Sequence, residues 1–125
     1  MTLLHEELTS SILSCAYKVH TSLGPGLLES AYEECLHFEL NKAELFVVKQ
    51  KPMPLIYDGI KMDLGYRIDL LVENKVIIEV KSVEALNPVH LAQIMTYLKL
   101  SQCKIGFLIN FNVQSLKEGI KRVIL

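Results

Sequence analysis

The residues with the most chemical content lie in the segment YRIDLLVENKVIIEVKS, residues 66–82. Two apolar, β-branched runs carry an acid each, Asp69 and Glu79, and the second run adds Lys81 two positions on. Strand residues alternate between faces. Tyr66, Ile68, Leu70 and Val72 therefore share one face of the first strand, and Arg67, Asp69 and Leu71 the other. In the second strand Val76, Ile78 and Val80 oppose Ile77, Glu79 and Lys81. A turn centred on Asn74 sets Asp69 directly across from Glu79. A slip of one residue would send one strand's apolar set to the wrong face, so burial selects the register that opposes the acids. Two carboxylates so placed repel unless one is protonated or a cation lies between them. Oxygen donors of this kind suit a hard divalent cation, Mg²⁺ or Mn²⁺, and the Val80 backbone carbonyl can add a ligand. Lys81, on the same face as Glu79, can orient a water or offset charge on a phosphate. The plainer reading of any isolated Asp…Glu-x-Lys set is a solvated face with an ordinary salt bridge.

These residues need elements to hold them. Apolar residues Leu4, Leu8, Ile12, Cys15, Val19 and Leu23 recur at helical spacing, predicting a helix over 3–23 that Thr2 can cap and Gly24-Pro25-Gly26 ends. A second helix is expected over 27–40, with Leu28, Ala31, Cys35 and Phe38 as its stripe, Tyr32 and Leu36 alongside and Asn41 as its exit. Strands are expected at 45–50, 55–57, 60–63, 66–73, 76–81 and 104–110, with a weaker one at 119–125 and the option of a helical turn near Leu116. Pro52 and Pro54 confine their segment to an edge or a bulge, and Asp58-Gly59 marks a turn. Asn87-Pro88 opens a third helix that runs to about residue 100, with Leu91, Ile94, Met95 and Leu98 as its stripe. Gln93 and Tyr97 lie four apart on that helix and, from spacing alone, read as a surface pair. Glu29 and Tyr32 form a similar pair on the second helix, where Glu29 also suits the dipole. His20 and His90 lack a partner at metal-ligand spacing; His20 reads as a cap or surface contact.

Composition bounds the rest. The chain has 125 residues, the size of one domain over 1–125. Thirteen basic and fourteen acidic residues give a net charge of −1, which excludes binding nucleic acid by bulk positive charge. Three scattered cysteines with no CxxC pair argue against a zinc site and for a reducing, cytoplasmic setting. No run approaches a membrane span, so no membrane partner is expected.

With these motifs in view, the chain resembles the PD-(D/E)XK nuclease superfamily, in the RecB-like branch that carries a QxxxY helix, here Gln93 and Tyr97. More closely, VHTSLGPGLLESAY (residues 19–32) is similar to the motif of the GxxExxY proteins, here Gly26, Glu29 and Tyr32. The resemblance implies an α/β fold, a restriction-endonuclease-like α-β-β-β-α-β core with a mixed central sheet flanked by helices and an extra N-terminal helix. It implies a metal-dependent nuclease with Asp69, Glu79, Lys81, Gln93 and Glu29 as catalytic residues. Asp69, Glu79, the Val80 carbonyl and, through water, Glu29 would hold Mg²⁺ or Mn²⁺. Tyr97, Tyr32 and Gly26 would support them, and Arg67 and Lys99 are the first candidates for phosphate binding. The expected partner is nucleic acid, DNA ahead of RNA, and a chain this small would span more of it as a homodimer. The competing reading is a non-cleaving nucleic-acid-binding or protein-interaction module on a nuclease-like fold. One departure stands out: the family tends to have a glycine after the second helix, where this chain reads Asn41-Lys42-Ala43-Glu44.

Overall fold

The computed structural model describes residues 4–125. Helix α1 (Glu6–Leu23) buries Thr9, Ile12, Cys15, Ala16, Val19 and His20. The stripe holds in the middle of the helix, while Leu4 and Leu23 at its ends are exposed. Thr2 falls outside the described residues, and His5 occupies the cap position with a left-handed φ of 52° and no side-chain cap bond. Helix α2 (Glu29–Lys42) buries Tyr32, Leu36 and Leu40. This corrects the expected stripe, because Leu28 and Phe38 are 76% and 62% exposed. The buried row is displaced by one residue, about 100° of helix rotation. Tyr32 sets that phase: its ring stacks on Phe111 at 4.7 Å with an interplanar angle of 9°.

The strands are β1 (Val47–Pro52), β2 (Leu55–Tyr57), β3 (Ile60–Met62), β4 (Arg67–Val72), β5 (Val76–Lys81), β6 (Ile105–Asn110) and β7 (Ile120–Ile124). Helix α3 (Pro88–Ser101) joins β5 to β6, and the short α4 (Leu116–Gly119) precedes β7. The main sheet runs β1-β4-β5-β6-β7. Among the described residues only the β5–β6 pair is parallel, the arrangement that a helical crossover permits. The β2–β3 hairpin forms its own small sheet, turned by Asp58 and Gly59 at φ 52° and 75°. The result is an α/β fold with a mixed five-stranded sheet between α1 and α2 on one face and α3 on the other.

The β4–β5 register pairs Leu70 with Ile78, Leu71 with Ile77 and Val72 with Val76. All six side chains are buried. Burying each is worth about 1.5–3 kcal/mol, which outweighs the cost of bringing Asp69 and Glu79 to corresponding positions. Both faces of this hairpin are covered, so the side that carries the charges is not a solvated surface. Leu70, Val72, Ile78 and Val80 pack under α1 and α2, while Leu71 and Ile77 pack under α3. Ile68 departs from the expected alternation and joins Leu71 in the α3-side core. The pleat is disturbed between them: the β1–β4 ladder skips Gln50 and Asp69, and Gln50 has a φ of 54°. Gly106 lets α3 lie close, since a Cβ there would meet Ile94 Cδ1 at 3.0 Å and the Ile77 carbonyl at 3.1 Å.

Candidate active site at a fork in the sheet

Strands β4 and β5 part company at their open ends. The ladder between them stops at Leu70–Ile78, whereas β1 stays paired to β4 as far as Arg67 and β5 stays paired to β6 as far as Lys81. A fork of this kind orphans backbone N–H groups that must find other partners. The two acids supply them. The Asp69 N–H donates to Glu79 Oε2 at 2.8 Å, and the Val80 N–H donates to Asp69 Oδ2 at 2.8 Å. Each carboxylate thus crosses the gap to the other strand's backbone.

Both acids are held in an environment that resists their charge. Glu79 is only 4% exposed. Burial, followed by the negative charge of Asp69, pushes its carboxyl up to about 8. Burial also raises Asp69, opposed by its bond from Val80 and by the charge of Lys81. A third acid joins from the other layer. Glu33 of α2 accepts from Gln50 Nε2 at 2.9 Å through both carboxylate oxygens, and the same Nε2 donates to Asp69 Oδ1 at 3.3 Å. Burial and the nearby Asp69 raise Glu33 as well. Glu33 and Gln50 were not anticipated. Glu33 carried one signal, its position four residues after Glu29 on the same helix face; Gln50 carried none beyond being polar in a strand.

Glu29 itself is exposed in the first turn of α2 and makes no side-chain hydrogen bond among the described residues. Tyr32 is fully buried, and its hydroxyl donates to the Gly24 carbonyl at 2.6 Å and accepts from the Leu27 N–H at 3.1 Å. Gly24 and Gly26 take φ values of 66° and 100°, conformations that favour glycine. The Leu27 carbonyl accepts from Ser82 Oγ at 2.6 Å, which ties this loop to the residue after Lys81. Asn110, 2% exposed, braces the same end from the other side, with its amide bonded to both Val83 backbone groups at 3.1 and 3.0 Å.

Lys81 is half-buried and forms no ion pair among the described residues. Tyr97 is buried, which corrects its reading as part of a surface pair: α3 turns it onto the sheet in place of Leu91, which is exposed. Gln93 Nε2 donates to the Tyr97 hydroxyl at 3.3 Å. Burial and then the charges of Glu79 and Asp69 push that phenol up to about 12, so it keeps its proton. Arg67 lies exposed on β4, and Lys99 lies exposed in the last turn of α3. Two residues after Tyr97, Lys99 is about 200° round the helix, on its solvent side. The histidines serve the scaffold. His20 is buried with Nε2 2.7 Å from the Val113 carbonyl, not a surface contact, and His90 completes a capping box with Asn87.

Among the described residues, no three His, Cys, Asp or Glu side chains converge as a ready metal cage. The donor set is smaller: Glu79, buried, and Asp69, half-buried, each bonded to one backbone N–H and otherwise short of positive partners. That chemistry fits a hard cation that keeps most of its waters and takes one or two carboxylates.

A family comparison matches residues 6–123 to the PD-(D/E)XK nuclease superfamily, and the chain belongs to that superfamily. Neither curated proteins nor solved structures gave a match. Among the described residues, no helix is long and apolar enough to cross a membrane.

Proposed function

We propose that the chain hydrolyses phosphodiester bonds of nucleic acid at the β4–β5 fork. The observation that carries this reading is the pairing of Asp69 with Glu79 across the fork, with Lys81 two residues beyond Glu79 on the same strand. Asp69 and Glu79 would hold Mg²⁺ or Mn²⁺. The Val80 carbonyl would assist, since it leaves the strand on the same side as the N–H that Asp69 accepts. When bound, such an ion polarises the scissile phosphate and lowers the pKa of a coordinated water. Lys81 would orient a water or offset charge on the phosphate. Tyr97, protonated and buried beside Ile68 and Leu71 of β4, would position the two acids together with Gln93. Glu33 acts on the same centre through Gln50 and Asp69, and Glu29, one turn earlier, is the alternative acid through water. Arg67 is the nearer of the two phosphate-binding candidates.

The test is cleavage of labelled DNA and RNA, single- and double-stranded, with Mg²⁺ or Mn²⁺ against EDTA. Wild type and Lys81→Ala run side by side. The expected result is metal-dependent cutting that falls by roughly 10²-fold or more in the variant while the fold is retained. Folded wild-type protein that binds but cuts none of these substrates would overturn the nuclease reading and leave a binding module.

A further inference from the structure

Beside the fork, between α3 and the chain that leaves β1, lies a pocket of about 360 Å³. Met53, Leu55, Val89 and the ring of Tyr66 form its apolar walls, and Gln93, Thr96 and Tyr97 supply its polar edge. The Met53 N–H donates to the Tyr66 carbonyl at 2.8 Å, which fixes these two walls against each other. Gln93 and Tyr97 lead from the pocket toward the fork, because Tyr97 is buried in the same apolar cluster as Ile68, the neighbour of Asp69. We propose that this pocket receives an unpaired base of the nucleic-acid substrate, an inference that rests on the nuclease reading and assigns it single-stranded or locally unpaired substrate.

Four observations support the occupant. First, Tyr66 lines the pocket and is 46% exposed, which makes it accessible for stacking, an interaction that any base can use. Second, the polar edge offers an amide and two hydroxyls, donors and acceptors suited to the rim of a base, within an otherwise apolar surface. Third, the chain carries a net charge of −1, so affinity for a polyanion must come from something other than bulk charge, and stacking supplies it. Fourth, the cations are placed for a backbone that passes between pocket and fork. Arg67 follows Tyr66 and sits opposite Pro52, and Lys51 of the neighbouring β1 sits opposite Ile68, so both flank the stretch of β4 that separates Tyr66 from Asp69. That stretch is about 10 Å long. A base held in a duplex stack cannot enter a side pocket without being extruded, which is why the ligand is an unpaired one.

The test uses single-stranded DNA and RNA oligonucleotides carrying the fluorescent base 2-aminopurine, with a blunt duplex of the same sequence for comparison. Binding is measured on the Lys81→Ala chain in EDTA, so that nothing is cut. The expected result is a change of probe emission on binding and single-strand affinity at least tenfold above that of the duplex. Adding Tyr66→Ala, or Ala92→Trp to fill the pocket from α3, should weaken single-strand binding roughly tenfold, about the value of one base–aromatic stack. Tyr66→Phe, which keeps the ring, should retain it. The inference is overturned if no single strand binds, if the duplex binds as tightly, or if Tyr66→Ala and Ala92→Trp both bind like the parent. Cleavage assays separate the two readings. If an otherwise wild-type chain bearing either pocket substitution cuts single strands with unchanged kcat/KM, the pocket assignment fails and the nuclease stands. If the binding pattern holds in a wild-type chain that cuts nothing with Mg²⁺, the nuclease reading fails and the pocket stands.

Discussion

Asp69 gives its backbone N–H to the carboxylate of Glu79 at 2.8 Å while its own carboxylate takes the N–H of Val80, the residue after Glu79. The two acids therefore replace the ladder bonds that the parting of β4 and β5 removes. The price is a pair of carboxylates in a poorly solvated gap, and its consequence is a dependence of stability on pH. Glu79 rises from an ordinary 4.5 to about 8 in the folded chain. A raised carboxyl contributes stability that is full below the ordinary value and is lost as pH climbs through the folded one. Asp69 and Glu33 are raised too and act in the same direction.

The metal-free chain should thus lose stability steadily as pH rises from about 4.5 to about 8. Thermal unfolding in EDTA at about pH 6 and about pH 8.5 checks this. The Glu79→Gln chain, whose amide oxygen can still accept from Asp69, should show a much flatter profile. Added Mg²⁺ should raise the wild-type Tm most at the alkaline end, where the acids are ionised. A wild-type Tm that climbs between these two pH values would show that the fork does not strain its carboxylates.

In the proposed nuclease site Glu33 and Glu29 are the two candidates for an acid from α2, and their surroundings differ. Glu33 is linked to Asp69 through Gln50, whereas Glu29 is exposed and without a side-chain hydrogen bond among the described residues. Removing an outer partner of a metal ligand commonly costs about 10–100-fold in metal affinity or activity. We expect Glu33→Gln to fall in that range when cleavage is titrated with Mg²⁺, and Glu29→Gln to stay close to wild type. Equal damage from both would return Glu29 to the site.

The difference between these two acids also shows what can be read from a sequence and what cannot. Strict alternation and a turn at Asn74 define the β4–β5 register without knowledge of any other element, and with it the opposition of Asp69 and Glu79. Likewise Asn87-Pro88 marks the start of α3 through local hydrogen bonds alone. Glu33, Gln50 and the burial of Tyr97 depend on how α2, β1 and α3 dock, which no local spacing encodes. The stripe of α2 failed for a related reason. Its apolar residues occur on more than one side, Leu28 and Phe38 as well as Leu36 and Leu40, and only the stack of Tyr32 on Phe111 decides which side faces inward.

Glu44 marks a local conflict that a substitution can relieve. It follows the end of α2 with a φ of 64°, the conformation that the glycine expected there would adopt freely. Its backbone is nevertheless used, since the Glu44 N–H donates to the Asn41 carbonyl at 2.9 Å. The left-handed region costs an ordinary residue roughly 1–2 kcal/mol, partly offset by the greater unfolded-state freedom of glycine. Glu44→Gly should therefore stabilise the chain by about 0.5–1 kcal/mol in denaturant titration and leave cleavage unchanged. A loss of stability would mean that the Glu44 side chain contributes more than its backbone strain costs.

Tyr32 links the glycine loop to the Lys81 end of β5. Its hydroxyl holds Gly24 and Leu27, and Leu27 in turn holds Ser82, the neighbour of Lys81. Tyr32→Phe keeps the stack on Phe111 but leaves a carbonyl and an N–H without their partner, a loss of about 1–3 kcal/mol. The loop should loosen before the core does. Amide exchange at Leu27 should accelerate while the exchange of β6 amides changes only by the global loss of stability. Cleavage should fall with the affinity for Mg²⁺ unchanged, because Asp69 and Glu79 are held by the fork and not by this loop. If Tyr32→Phe lost Mg²⁺ affinity in step with activity, the hydroxyl would be acting on the carboxylates themselves, and the loop would have to be placed closer to the metal than its contacts put it.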